Sequence, residues 1–404
     1  MGITLVRTGD AKLIRELNTS IILDIIRKQG PISRAEISKV VKISPTTVAS
    51  CINALMKDSL VMESGTGVSS GGRKPILVQL NPNDRFLIGV AVNASKITIA
   101  AFNLYANVQK KISHSLLNET YSDISDFMIN LLQEFLEDFD QKEDCLGISI
   151  TFQGIVDADK GVVVYNPKLN MLNVSLKDKI EDALHIPTYI DNDTNGSLLA
   201  EKGYGHYQQA KNLIYVTIGD GVGASILVND AIYRGHLGGA GEFGHTTINF
   251  NGPVCECGNI GCLENYVSWQ TIHSRIEEEL GHGRKSIMSE WLTENEQLTI
   301  EKFQQAVLQE DPLALSILDD VAFYLGIGLV SIINLFNPEK IIVGGELAND
   351  SPYFIQRLNE FVLSHSLETH TKEFAILPSS FGDDSEVIGA VSILLDDLFH
   401  STIR

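Results

Sequence analysis

The sequence predicts a small, mainly helical head over residues 1–80 joined to a larger α/β body. Three observations carry this reading. Helix caps and apolar stripes of helical period fill most of the first sixty residues. A glycine-rich hairpin signal follows them. After Asn81-Pro82, β-rich runs alternate with amphipathic helical stretches. The 404 residues, 44% hydrophobic and 20% charged, are ordinary for a globular chain of two or three domains.

In the head, "NTSIILDIIRKQG" puts Ile21, Ile22, Ile25 and Ile26 on one helical face, and Gly30 closes that helix. Ser33 with Glu36 three residues later is a capping box, so a second helix starts there. Ser44 is the expected N-cap of a third helix, with Pro45 at its first position. Val48, Ile52 and Leu55 form its buried stripe, and Cys51 beside them is read as a small core residue. Thr46, Thr47, Ser50 and Asn53 stay on the exposed side. The turn between the second and third helices, "VKIS", is short enough for a helix-turn-helix. "LVMES" and "PILVQL" then flank "GTGVSSGGRK" as two strands around a wing, with Arg73 and Lys74 at its tip.

A winged helix of this kind is expected to bind DNA. The third helix would offer Ser44, Thr46, Thr47, Ser50 and Asn53 to base edges in the major groove. Arg73 and Lys74 would meet phosphates or the minor groove. Arg7, Lys12 and Arg15 could extend the contact from a helix before Ser20; a solvated arm is the alternative. A three-helix protein-interaction domain is the bland reading of the same segment. Charge favours DNA. The first eighty residues hold eleven Lys and Arg against six Asp and Glu, whereas the remainder holds twenty against forty-five. An acidic body of that kind repels nucleic acid.

In the body, "FLIGVAV", "ITIAAFNL", "LGISIT", "TYIDND", "NLIYVTIG" and "KIIVGGE" are expected strands. "FMINLLQEFLEDF" and "VAFYLGIGLVSIINLF" are expected helices. Nothing at Met1–Asp10 resembles a signal peptide, and no apolar run is read as approaching the roughly 18 residues of a membrane helix. A cytoplasmic location is expected, which disfavours disulfides.

Three of the five cysteines crowd into "GPVCECGNIGCLENY". Cys255, Cys257 and Cys262 have the close spacing of a thiolate metal site, and zinc is the ion it favours. The nearest upstream histidine, His245, completes a Cys3His set. Four protein ligands leave no open position, so the ion is expected to be structural and to pin Glu242 and Glu264 nearby. In "IDNDTNGSLLAE", Asn192, Asp193 and Asn195 lie between a strand and a helix. They are either turn and cap residues or part of a ligand site at a strand's C-terminal end. Carboxylates and amides suit sugar hydroxyls, which both donate and accept. The turns Gly219-Asp220-Gly221 and Gly344-Gly345 follow strands, as phosphate-cradling turns do. Asp220, however, puts a carboxylate where a phosphate would approach.

These residues resemble the ROK family of repressors, open reading frames and sugar kinases. The most specific piece is Gly241-Glu242-Phe243-Gly244-His245 together with Cys255-x-Cys257-Gly-x-x-Gly-Cys262-x-Glu264. Asn192-Asp193-x-Asn195 and Gly154-Ile155-Val156-Asp157 match as well. The head, with "NALMK" and Ser69-Ser70-Gly71-Gly72-Arg73, resembles the family's repressor branch of xylose-repressor-like regulators. The resemblance implies an actin-like, sugar-kinase-like body of two α/β lobes around a sugar cleft. The smaller lobe would hold 81–190 plus 388–404, and the larger 191–387. It also implies sugar contacts from Gly154, Asn192, Asp193, Glu242, His245 and Glu264, zinc on His245 and the cysteines, and Asp193 at the position of the kinase base.

Departures from the family pattern separate kinase from regulator. Family kinases carry D-x-G-G-T-K after the first strand. Here the stretch is Ala91-Val92-Asn93-Ala94-Ser95-Lys96, which keeps only the lysine. Asp220 replaces a threonine in the second phosphate turn. Without a backbone cradle, phosphoryl transfer lacks its electrostatic support. The expectation is therefore a non-enzymatic, sugar-responsive repressor. It would bind operator DNA as a homodimer or larger even assembly and leave it when a sugar inducer binds. The alternatives are a working sugar kinase with a DNA-binding head, and a sugar-dependent activator or co-repressed regulator.

Overall fold

The computed structural model describes residues 11–68, 74–116, 123–139, 141–293, 298–349, 351–372 and 374–400. Arg7, Ser69–Arg73 and the termini lie outside the described residues, so the expected wing tip is described only from Lys74 onward.

The head begins with α1 (Ala11–Gln29), which starts well before Ser20 and carries Lys12 and Arg15 on its exposed side. Next come β1 (Ile32–Ser33), α2 (Arg34–Val41) and α3 (Pro45–Lys57). The capping box forms. Glu36 N–H donates to Ser33 Oγ at 3.3 Å, and Ser33 N–H donates to Glu36 Oε2 at 3.0 Å. Ser44 caps α3 by accepting from Thr47 N–H at 3.2 Å, with Pro45 first in the helix. Ile22, Ile26, Ile37, Val48, Cys51, Ile52 and Leu55 are buried together with Val78 and Leu80. β2 (Val61–Thr66) and β3 (Ile76–Leu80) pair antiparallel, and β1 adds to β3, giving the order β1-β3-β2. The head is a winged helix-turn-helix.

The body's first sheet uses β4 (Phe86–Val92), β5 (Lys96–Phe102), β6 (Val108–Ser115) and, after α4 (Ile124–Glu137), β7 (Cys145–Phe152). β8 (Ile155–Asp157), the hairpin of β9 (Val162–Asn166) and β10 (Met171–Val174), and α5 (Leu176–Leu184) precede β11 (Thr188–Asn192). The sheet order is β11-β7-β4-β5-β6. All seven residues of β4 are buried, which is why it reads as an unbroken apolar run rather than an alternation.

α6 (Asp193–Gly203) leads into β12 (Leu213–Ile218), β13 (Val222–Val228) and β14 (Ala231–Ile232). A long irregular stretch ends at α7 (Glu264–Val267). Then follow α8 (Trp269–Gly281), α9 (Met288–Thr293), α10 (Ile300–Leu308), α11 (Pro312–Phe336), β15 (Lys340–Gly344), α12 (Pro352–His365), α13 (Glu368–Thr371), β16 (Ile376–Pro378) and α14 (Ser385–His400). The second sheet runs β14-β13-β12-β15-β16, with β12, β15 and β16 parallel. Its core joins Val216, Ile218 and Val343 to Leu325, Leu329 and Ile333 of α11.

α11 corrects one expectation. Its 25 residues are long and apolar enough, by length and composition alone, to cross a membrane. Most of its apolar side chains are instead buried in the core beside the second sheet. A helix covered on nearly every side is apolar nearly all round.

The chain divides into two compact units. One holds Met1–Phe152, Ala158–Asp191 and Ala390–Arg404, so the winged helix clusters with the first sheet. The other holds Gln153–Asp157 and Asn192–Gly389.

Candidate functional site

On α3, Thr46, Ser50 and Asn53 are exposed at positions i, i+4 and i+7, so they share one helical face. Thr47 is half-buried. Ser44 lies within 2.9 Å of the Thr46 hydroxyl and 2.8 Å of the Thr47 hydroxyl, and is occupied as a cap. Lys74 is exposed where the chain re-enters β3.

All six expected sugar contacts, Gly154, Asn192, Asp193, Glu242, His245 and Glu264, lie in the second unit. The first four residues of β13 organise them. Val222 N–H donates to Glu264 Oε2 at 2.9 Å. Ala224 N–H donates to Gly241 O at 2.9 Å, which seats the Gly241–His245 turn on the strand. Gly241 has φ +93°, and a side chain there would run into the Ala224 carbonyl, so this turn needs glycine. Ser225 Oγ donates to Asn195 Oδ1 at 2.6 Å and fixes α6 over the same strand.

Asn192 does cap α6: its Oδ1 accepts from Thr194 N–H at 2.9 Å and Asn195 N–H at 3.3 Å. Its Nδ2 also donates to Gly154 O at 3.0 Å, which brings the Gly154 loop to the strand end. The cap reading of the Asx cluster therefore holds for Asn192, and the same side chain ties the Gly154 loop to the strand end. Asn195 is a structural clamp. Asp193 accepts from Thr194 N–H at 2.8 Å, while burial and the nearby Glu386 carboxylate push its carboxyl up to about 7. Burial also raises Glu242; His245 works against that rise and Glu264 adds to it, which places the three groups near one another.

His245, Cys255, Cys257 and Cys262 bring their ligand atoms within 4.8 Å of one another. Cys257 Sγ to Cys262 Sγ is 3.7 Å, and Cys255 Sγ to His245 Nδ1 is 3.7 Å. A tetrahedron with metal–sulfur bonds of about 2.3 Å has edges of about 3.8 Å, so the donors fit such an ion. Burial pushes the Cys262 thiol up to about 12, an environment in which a thiolate needs a bound cation. Asn259 Nδ2 donates to Cys262 Sγ at 3.3 Å and supports it from outside. The bridges Thr247↔Cys262 and Val254↔Ile260 close the knuckle. His245 turns Nδ1 to Cys255 and Nε2 to Glu242 Oε2 at 3.9 Å, so one imidazole faces both the cysteines and Glu242.

Donor groups at two of the turns that would cradle phosphate already have partners. In the first unit, Asn93 Oδ1 accepts from Ser95 N–H at 3.0 Å, Ser95 Oγ at 3.0 Å and Lys96 N–H at 2.9 Å. In the second, Val222 N–H at the end of the Gly219–Gly221 turn is taken by Glu264. Sequence reasoning noted the missing glycines but not this plug. The Asx-turn pattern Asn93-x-Ser95 was the available signal. The nearness of Glu386 to Asp193 had none, because the two are far apart in sequence.

A winged helix joined to a two-sheet α/β body, with a Cys3His knuckle next to paired carboxylates, defines a regulator-like relative of the sugar kinases. The ROK family model matches residues 87–397, and a winged helix-turn-helix DNA-binding model matches residues 18–62. The chain belongs to the ROK family. It is 32% identical to a xylose repressor of Caldicellulosiruptor bescii, over 96% of this chain and 98% of that one. It is 27% identical to the DNA-binding transcriptional dual regulator NagC of Escherichia coli strain K12, over 96% and 94%. Among solved structures, a ROK family transcriptional regulator described as a homologue of the Escherichia coli MLC protein superposes with a TM-score of 0.84. That match has 28% identity and covers 97% of this chain and 99% of the other.

Proposed function

We propose that this protein is a sugar-responsive transcriptional repressor. The observation that carries the proposal is the combination of a winged helix-turn-helix head with amides and carboxylates gathered at one strand end, beside turns whose N–H groups already have partners. Thr46, Thr47, Ser50, Asn53, Arg73 and Lys74 contact operator DNA, the first four at base edges and the last two at the backbone. Asn192, Asp193, Glu242, His245 and Glu264, with the Gly154 loop, hold the sugar.

The protein is not a kinase in this reading. Ser95, Lys96 and Val222 N–H groups are spent on Asn93 and Glu264. A triphosphate would have to displace those carbonyl and carboxylate partners and then face the Asp220 side chain. Asp193 keeps its place as a hydrogen-bonding partner for a hydroxyl.

The ion on His245, Cys255, Cys257 and Cys262 is zinc, and it is structural. When bound, it neutralises the thiolates and fixes the knuckle between Glu242 and Glu264. A homodimer places two heads on a pseudo-palindromic operator. The sugar releases DNA only to the extent that it binds the released arrangement more tightly.

The test is operator binding by the zinc-loaded protein to DNA from its own upstream region, at fixed salt, with xylose, glucose, N-acetylglucosamine and short glucosides in turn. Release by one sugar is expected. Tight DNA binding that no sugar alters would sink the sensor reading. Turnover of ATP with any of these sugars would sink the non-enzymatic one.

A further inference from the structure

α14 belongs to both compact units: Ser385–Gly389 lie in the second and Ala390–His400 in the first. Its first turn is fastened beside Asp193. Ser385 Oγ lies 3.0 Å from the buried Tyr215 hydroxyl. Gly389 sits so close to the backbone of Gly196 and Ser197 in α6 that a side chain there would be 2.8 Å from Ser197 N. α6 is the helix that starts at Asp193, and the Glu386 carboxylate acts on that aspartate.

The other end of α14 is fastened to the head. Ser20 Oγ of α1 donates to the Phe399 carbonyl. The Arg27 guanidinium lies over the Phe399 ring at 4.9 Å. His400 Nδ1 is 2.9 Å from Asp396, its Nε2 is 3.9 Å from Asp24, and Asp24 is itself held by Arg27 and Lys28. Between the ends, Leu394 packs on Gly147, and Tyr189 Oη donates to Asp397 at 3.0 Å.

We propose that α14 is the transmission element between the Asp193 site and the DNA-binding head, its first turns seated beside that site through Ser385 on Tyr215 and Gly389 on α6. The inference rests on the sugar-sensor reading and names its internal route. An unbroken helix of fourteen residues from Glu386 to Phe399 spans about 20 Å and carries a shift or rotation of its first turn to its last. A hydroxyl that engages Asp193 at the start of α6 shifts that helix, and so changes the seating of α14 on it. Ser20, Asp24 and Arg27 then move with Phe399 and His400, and α1 moves with them.

The first test needs neither operator nor inducer. Amide hydrogen exchange is measured on the full-length protein, on Asp193→Asn and on Glu386→Gln. The control is Glu339→Gln, which alters the Lys211–Asn212 turn far along the chain from α14. Both site variants are expected to change protection in Ser20–Gln29 by at least about threefold, and the control to leave it unchanged. Adding Ser20→Ala to Glu386→Gln should change operator affinity non-additively. Exchange changes confined to the second unit, or effects equal in the control, overturn the route. Failure to bind any upstream DNA, with the exchange result intact, would instead count against the repressor reading.

Discussion

Asp193→Asn should remove a pH dependence of stability whose size follows from the site. The Asp193 carboxyl is pushed from 3.8 to about 7 by burial and by Glu386. Below pH 4 the folded and unfolded chains both carry the proton, and the group contributes nothing to the difference. As pH rises, the unfolded chain gives up its proton first, so stability falls steadily until the folded carboxyl also ionises near 7. Above that the cost is constant. Roughly three units at 1.36 kcal/mol each give about 4 kcal/mol. This is an upper figure, because the side chain is only partly buried and water screens part of the repulsion. Asparagine keeps an acceptor for Thr194 N–H, so the rest of the change should be small and independent of pH. The assay is urea unfolding from about pH 4.5 to 8.5, followed by tryptophan fluorescence. Both tryptophans, Trp269 and Trp291, pack against the second unit's core and report on that unit. The variant should gain on the wild type as pH rises, and most of the gain should come below pH 7. Glu386→Gln should shrink the same dependence from the other side. A difference between variant and wild type that is flat across this range would refute the assignment of a strained carboxyl.

The remaining expectations follow from the metal knuckle, the head and the Gly241 turn. Dialysis against a strong chelator should remove one ion per chain, lower the melting temperature and blunt the sugar response; Cys257→Ser should do the same. The loss should be several kcal/mol, below the roughly 10–16 kcal/mol of isolated zinc peptides, because the Thr247↔Cys262 and Val254↔Ile260 bridges also hold the loop. Asn53→Ala should cost about 1–3 kcal/mol of operator affinity, read by fluorescence anisotropy, and relax specificity at one base position. Lys74→Ala should weaken all DNA sequences alike and flatten the slope of log affinity against log salt by about 0.9. Gly241→Ala should destabilise the protein by roughly 1–3 kcal/mol in the same urea assay, since the Ala224 carbonyl occupies the space of the new side chain.

The head was legible almost residue by residue because its signals are local. The Ser33–Glu36 box, the Ser44-Pro45 start and the Val48–Leu55 stripe each depend on neighbours within a few positions. The start of α1 was not, because Ala11–Leu17 carries no cap or stripe to mark it. The metal set was legible from thiolate spacing plus one histidine, and the geometry adds which imidazole nitrogen faces sulfur. α11 was misjudged as too short an apolar run because its two adjacent aspartates, Asp319 and Asp320, break the pattern on paper. In the fold those two pair with Arg357 and Arg275 at the helix surface.

The glycine-poor turn after β4 and the Asp220 turn show where local pattern and tertiary contact must be combined. Sequence showed only that glycines were missing from one turn and that Asp220 stood in another. The structure gives the stronger physical reason: donor groups at both turns already have partners. One partner is local, since Asn93 is two residues from Ser95, and it could have been read. The other is Glu264, forty-two residues beyond Val222, which directly follows the knuckle that gathers His245 and the three cysteines. Restoring glycines after β4 would therefore free only the first turn. The Val222 donor would stay committed as long as the Cys255–Cys262 knuckle holds Glu264 in place.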